Sequence, residues 1–213
     1  MNAGGPTTGA RGEGIVLEVV SIVWMALEAA VSIGVGVAAR SVLLTGFGLD
    51  SVIELFSAGL LLWRLTAGGR TYNPERVERI ERRAAWLAAV LLLLLALYLV
   101  VSSVIGLVIR LEPENSWPGL PVAGLAVVVM PALGWRKRVV AGRLHSAALR
   151  ADAVESMSCA YLALATLAGV AANVMFGWWW AEYVAALVLA VLILREARET
   201  ILEVRDVDEA RER

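Results

Sequence analysis

GFGLDSVIELFSAGLLLWR, residues 46–64, decides how this chain is read: it is an apolar run with two carboxylates, Asp50 and Glu54, near its middle. A charged side chain at the centre of a bilayer costs about 2.5–3.5 kcal/mol on insertion scales, so such groups face a cavity and mark an ion or proton path. A second apolar stretch, ALRADAVESMSCAYLAL (148–164), repeats the feature with Asp152 and Glu155. Working outward, the segments 15–39, 41–65, 85–109, 118–135, 147–176 and 178–194 are each apolar enough to cross roughly 30 Å of hydrocarbon at about 1.5 Å per residue. The fourth and sixth are the shortest. The third, with LLLLLALYLV at 91–100, is the plainest lipid-facing helix. The pattern predicts an all-α membrane protein with six transmembrane helices over 15–195, a polar N-terminal tail over 1–14 and a short charged tail over 196–213.

Composition agrees with this reading. Hydrophobic residues make up 59% of the 213 and charged residues only 18%, the signature of a polytopic membrane protein. A net charge of −1, with no basic stripe interleaved with aromatics, argues against a nucleic-acid partner. The single cysteine, Cys159, excludes an internal disulfide framework and a multi-cysteine zinc cluster. No signal peptide is expected, because the first span can itself direct insertion.

Basic residues set the orientation, since short cytoplasmic loops collect Lys and Arg. The second connection holds Arg64, Arg70, Arg76, Arg79, Arg82 and Arg83; the fourth holds Arg136, Lys137, Arg138 and Arg143; Arg195, Arg198 and Arg205 follow the last span. The remaining connections offer only Arg40 and Arg110. Both termini are therefore expected inside (N-in, C-in), with Trp117, Trp178, Trp179 and Trp180 at the opposite interface. PERVERIERR (74–83) reads as a solvated, self-paired helix entering the third span. The short likeness between 49–62 and 151–164 fits an inverted repeat of three spans.

Asp50 and Glu54, at i and i+4, project from one helix face with Ser57; Asp152 and Glu155, at i and i+3, share a stripe with Ser156 and Cys159. Packed together, the two faces converge four carboxylates, a thiol and hydroxyls, which is a divalent-cation site by ligand count. The competing reading is internal salt bridges or protonated, hydrogen-bonded acids. Against it, the acids Glu18, Glu28, Asp50, Glu54, Asp152 and Glu155 meet only one expected membrane-depth base, Arg150. Metal and proton compete for the same oxygens, which is the chemistry of metal/proton exchange. Cys159, Glu28 and His145 are accessory candidates: Cys159 as ligand or packing residue, Glu28 as proton relay or structural tie, His145 as a ligand at the mouth or a solvated loop residue. Glu18, near the start of the first span, is expected to reach water. No phosphate loop, HExxH or serine elbow occurs, so ATP-driven transport and enzymatic hydrolysis are unsupported.

GFGLDSVIE (46–54) and LRADAVES (149–156) resemble the cation diffusion facilitator family of divalent-metal exporters. WMALEAA (24–30), FGWWWAEYVAAL (176–187) and LREARE (194–199) make the chain similar to the short bacterial branch of that family. The resemblance implies a cation-efflux-like transmembrane domain in the cell membrane, working as a homodimer. It implies export of Zn2+, or of Mn2+, Fe2+, Co2+ or Cd2+, coupled to inward proton flow, with no prosthetic group. Its ligand pairs map onto Asp50 and Glu54, and onto Asp152 with a histidine position occupied here by Ala148. Glu155, Cys159 or His145 are the substitutes. The family's common cytoplasmic C-terminal domain has about 19 residues after Leu194 in its place, which puts dimerisation in the membrane portion.

Two other functions compete. A proton-coupled exporter of organic cations would exchange a proton on Glu28 or Glu54 for a lipophilic amine and expects an aromatic lining, of which Phe47, Phe56 and Tyr161 are the available members. A non-transporting metal sensor or scaffold would need a partner-binding tail, and RDVDEARER (205–213) offers little to hold.

Overall fold

The computed structural model describes residues 6–67, 74–114, 116–144 and 146–212. The described chain is all-helical: α1 (Pro6–Ala38), α2 (Val42–Ala67), α3 (Pro74–Ile109), α4 (Gly119–Leu144), α5 (Ala147–Phe176) and α6 (Trp179–Glu212). Five of them, α1 to α5, are long and apolar enough to cross a membrane. α6, the sixth expected span, has a shorter apolar run over the described residues. Its uncharged run is bounded by Glu182 and Arg195, and α6 packs beside the others through Tyr183, Ala186, Leu189, Ala190 and Ile193, all buried.

Helix ends follow local chemistry. Pro6 opens α1, a position where the missing N–H costs nothing, so the helix includes most of the stretch expected as a polar tail. Ser41 accepts from Leu44 N–H at 3.2 Å to start α2, and Ser146 caps α5 through Leu149 N–H at 3.3 Å. Gly177, at φ 67°, ends α5 in the left-handed conformation that glycine adopts without a Cβ penalty. α4 runs beyond the expected 118–135 to Leu144, passing Pro131 and the basic run Arg136 to Arg138, whose side chains favour helix.

α1 packs on α2, α4 on α5 and α3 on α6, and these pairs close around a core of Leu43, Leu44, Phe47, Leu99, Leu162 and Leu189. Small residues permit the closest approaches. A Cβ on Gly48 would lie 2.8 Å from the Ile33 backbone nitrogen, and one on Gly134 would lie 2.9 Å from Ala153 O. In a bilayer, where lipid is as apolar as leucine, such backbone proximity replaces the hydrophobic effect as the force that joins helices. α3 is lipid-facing on one side only: Leu93, Leu94, Leu97 and Val101 are exposed, while Ala89, Leu92, Ala96 and Leu99 are buried.

Candidate functional site

Asp50 and Glu54 stack one turn apart on α2, and both are buried, at 2% and 4% exposure. Among the described residues no hydrogen-bond donor reaches Asp50 Oδ1. Glu54 Oε1 accepts from the thiol of Cys159 on α5, with Sγ at 2.6 Å. A carboxylate held in apolar surroundings with few donors is costly unless a proton or a cation neutralises it.

Two cavities adjoin this region between α2, α3, α5 and α6. One of about 460 Å³ is lined by Ile53, Ser57, Ala85, Ala148, Asp152 and Glu155 among others. The second, about 360 Å³, brings Glu54, Ser57, Glu155 and Ser158 together with Glu196 and Glu199 of α6. Glu155 is half-buried and lines both. Ala148, at the position of the absent histidine, lines the first. Glu196 and Glu199 belong to a stretch read from the sequence only as a charged tail. Burial, with the charge of Glu199 adding in the same direction, pushes the Glu196 carboxyl up to about 7.

Asp152 lies elsewhere in the electrostatic pattern. The ammonium of Lys137, itself 1% exposed, sits 2.5 Å from Asp152 Oδ2 and 3.2 Å from Glu18 Oε1. This corrects three expectations. The membrane-depth base is Lys137 on α4, not Arg150, which is exposed. Glu18 does not reach water, having no exposed surface. And the four carboxylates do not meet at one point: Glu54 pairs with Cys159, whereas Asp152 is taken by lysine. Among the described residues no three His, Cys, Asp or Glu side chains are grouped tightly enough to hold a metal ion.

The accessory candidates separate in the same way. Glu28 is tied on both oxygens, accepting from Ser51 Oγ at 2.5 Å and from Trp24 Nε1 at 2.9 Å, which fastens α1 to α2 beside Asp50. Cys159 touches Glu54. His145 lies outside the described residues. Besides Glu196 and Glu199, a further acid lies outside the expected site: Glu182, buried at the start of α6, accepts from Ser41, from Ser116 at 2.6 Å and from Asn173 at 2.7 Å.

Helices fastened to each other by buried acids, with the conspicuous acids on α2 and α5 beside the two cavities, are what a cation path through a membrane requires. The family model of the cation efflux transmembrane domain matches residues 19–207. The chain belongs to the cation efflux family. Its members are transporters rather than enzymes, so this multi-pass membrane protein is a metal cation transporter. Comparison with curated proteins gives no match.

Proposed function

We propose that this cation efflux protein exports a zinc-class divalent cation across the cell membrane in exchange for protons, with Asp50, Glu54, Asp152 and Glu155 as the ligand oxygens and Cys159 as an added soft donor. The observation that carries the reading is the Cys159 thiol at 2.6 Å from the buried carboxylate of Glu54, beside the partnerless Asp50 oxygen. Sulfur with carboxylate oxygen favours Zn2+ and Cd2+ over harder ions. Ligation requires the thiolate and the ionised carboxylates, so an arriving metal displaces protons from the groups it binds. Returning protons release it. Exchange then needs no energy source beyond the proton gradient.

Asp152 and Glu155 border the cavity on the α5 side, and Ser57 and Glu54 border its neighbour on the α2 side. Narrowing the space between α2 and α5 completes a four-oxygen site from these groups, which the structure places apart. N-in, C-in topology makes these cavities the cytoplasmic mouth, and the homodimer that the family resemblance implies supplies the frame against which the helices move.

The test is zinc flux into proteoliposomes with a pH-sensitive dye trapped inside. Zinc entry accompanied by proton exit is expected from the wild type. Asp50→Asn and Glu54→Gln should each cut zinc flux by at least about tenfold, the effect of about 1.4 kcal/mol of lost ligation. Wild-type flux from either variant would count decisively against the assignment.

A further inference from the structure

The geometry points to Lys137 as a tethered cation that holds Asp152 while the transported ion is away and passes to Glu18 when the ion arrives. This inference rests on the proposal that Asp152 is a ligand of the transported metal.

Three observations carry it. The first is position: Asp152 stands between Lys137 and the cavity of about 460 Å³ that it helps to line, so a cation entering by the cavity meets a carboxylate already engaged from behind. The second is charge. One ammonium serves two buried carboxylates from two other helices, at 2.5 Å and 3.2 Å, and neither acid has another cation against it in the ion pairs of the described residues. A divalent ion and an ammonium cannot both sit against Asp152 without repulsion in a low-dielectric setting. The third is reach: Glu18 Oε1 is already within ion-pair distance, and a lysine stem is flexible enough to shift its head group between two acceptors without moving its helix.

The arrangement links occupancy to the helices. Glu18 is on α1, Lys137 on α4 and Asp152 on α5. With the ammonium against Asp152 its charge ties α4 to α5 as well as to α1; after the exchange it ties α4 to α1 alone. Glu18 is thus a positioning residue, acting on the metal only through the lysine it receives. A purely structural salt bridge would, on removal of the lysine, lose stability and leave zinc binding no tighter than wild type.

The experiment is zinc titration of the purified full-length protein in detergent, by competition with a chromophoric chelator, with thermal unfolding recorded alongside. Lys137→Met should bind zinc at least about tenfold more tightly than wild type, and Glu18→Gln about tenfold more weakly, since the lysine then has only Asp152 to pair with. The double variant should bind like Lys137→Met. Zinc binding by folded Lys137→Met that is no tighter than wild type overturns the inference. Glu18→Gln keeps the shape of the side chain and decides the matter if Lys137→Met does not fold: unchanged or tighter binding overturns it, and weaker binding supports it. Glu54→Gln in the same assay separates this inference from the reading beneath it. Wild-type binding by Glu54→Gln removes the metal site itself, whereas its loss together with wild-type binding by Lys137→Met removes only the tethered cation.

Discussion

At Cys159 a single atom sets the softness of the candidate site. Its Sγ lies 2.6 Å from Glu54 Oε1 and 3.1 Å from the Glu155 carbonyl, the i−4 contact of its own helix. Replacing sulfur by oxygen leaves the size and the hydrogen bond nearly intact while hardening the donor. Cys159→Ser should therefore lower zinc affinity relative to manganese by about tenfold, measured by competition between the two ions. Residues such as Asp50, Glu54, Asp152 and Cys159 were legible in the sequence because a polar group inside an apolar run has to be explained. Lys137 was not. A lysine just after an apolar run and flanked by Arg136 and Arg138 has the pattern of a cytoplasmic loop, and the flanking arginine does behave that way, with Arg136 bonding Glu13 at 2.7 Å near the surface. Only the continuation of α4 turns Lys137 inward, toward Glu18 and Asp152, which are far from it in sequence.

At the scale of elements, α4 and α5 lie close enough together to bring Lys137 to Asp152 because Gly134, one turn before the lysine, presents no side chain to α5. A methyl there would stand 2.9 Å from Ala153 O and 3.2 Å from Met157 Cγ. Backbone cannot yield as a flexible side chain can, so Gly134→Ala must push the helices apart. A loss of about 1–3 kcal/mol is expected, the usual cost of overpacking, seen as a lower midpoint in thermal unfolding of the detergent-solubilised protein. Gly46→Ala is the useful contrast, since its Cβ meets the side chain of Leu99 rather than backbone, leaving Leu99 free to adjust its rotamer. Its loss should be the smaller of the two. Helix number and order were readable from hydropathy alone. The apolar run of α6 is short, and its inner face is buried by contact with α3 and α5, while Val184, Val188 and Val191 remain exposed.

On the scale of the whole molecule, the two ends are built differently. At one end lie the cavities, lined by residues between Ile53 and Leu61 on α2, Ala84 and Leu92 on α3, Ala148 and Ser158 on α5, and Glu196 and Thr200 on α6. At the other, Glu182 gathers donors from the start of α2, the approach to α4 and the end of α5, Tyr183 donates to Leu111 O at 2.6 Å, and Glu114 N–H donates to Ala39 O at 2.8 Å. One end is open and the other is bolted, which is the form of a transporter facing a single side. Replacing Cys159 by serine provides a background free of native thiol for mapping this. A cysteine at Ser57, which lines both larger cavities, should react with a membrane-impermeant maleimide, and with cytoplasmic termini it should do so in everted vesicles only. A cysteine at Ser116, 1% exposed in the Glu182 network, should stay unlabelled. Adding Glu182→Ala removes the acceptor shared by three donors, and a buried network that loses its common partner is worse than none. Labelling at position 116 should then rise from the opposite face as labelling at position 57 falls. Equal reactivity of both positions from one face would mean that the bolt and the cavities do not alternate.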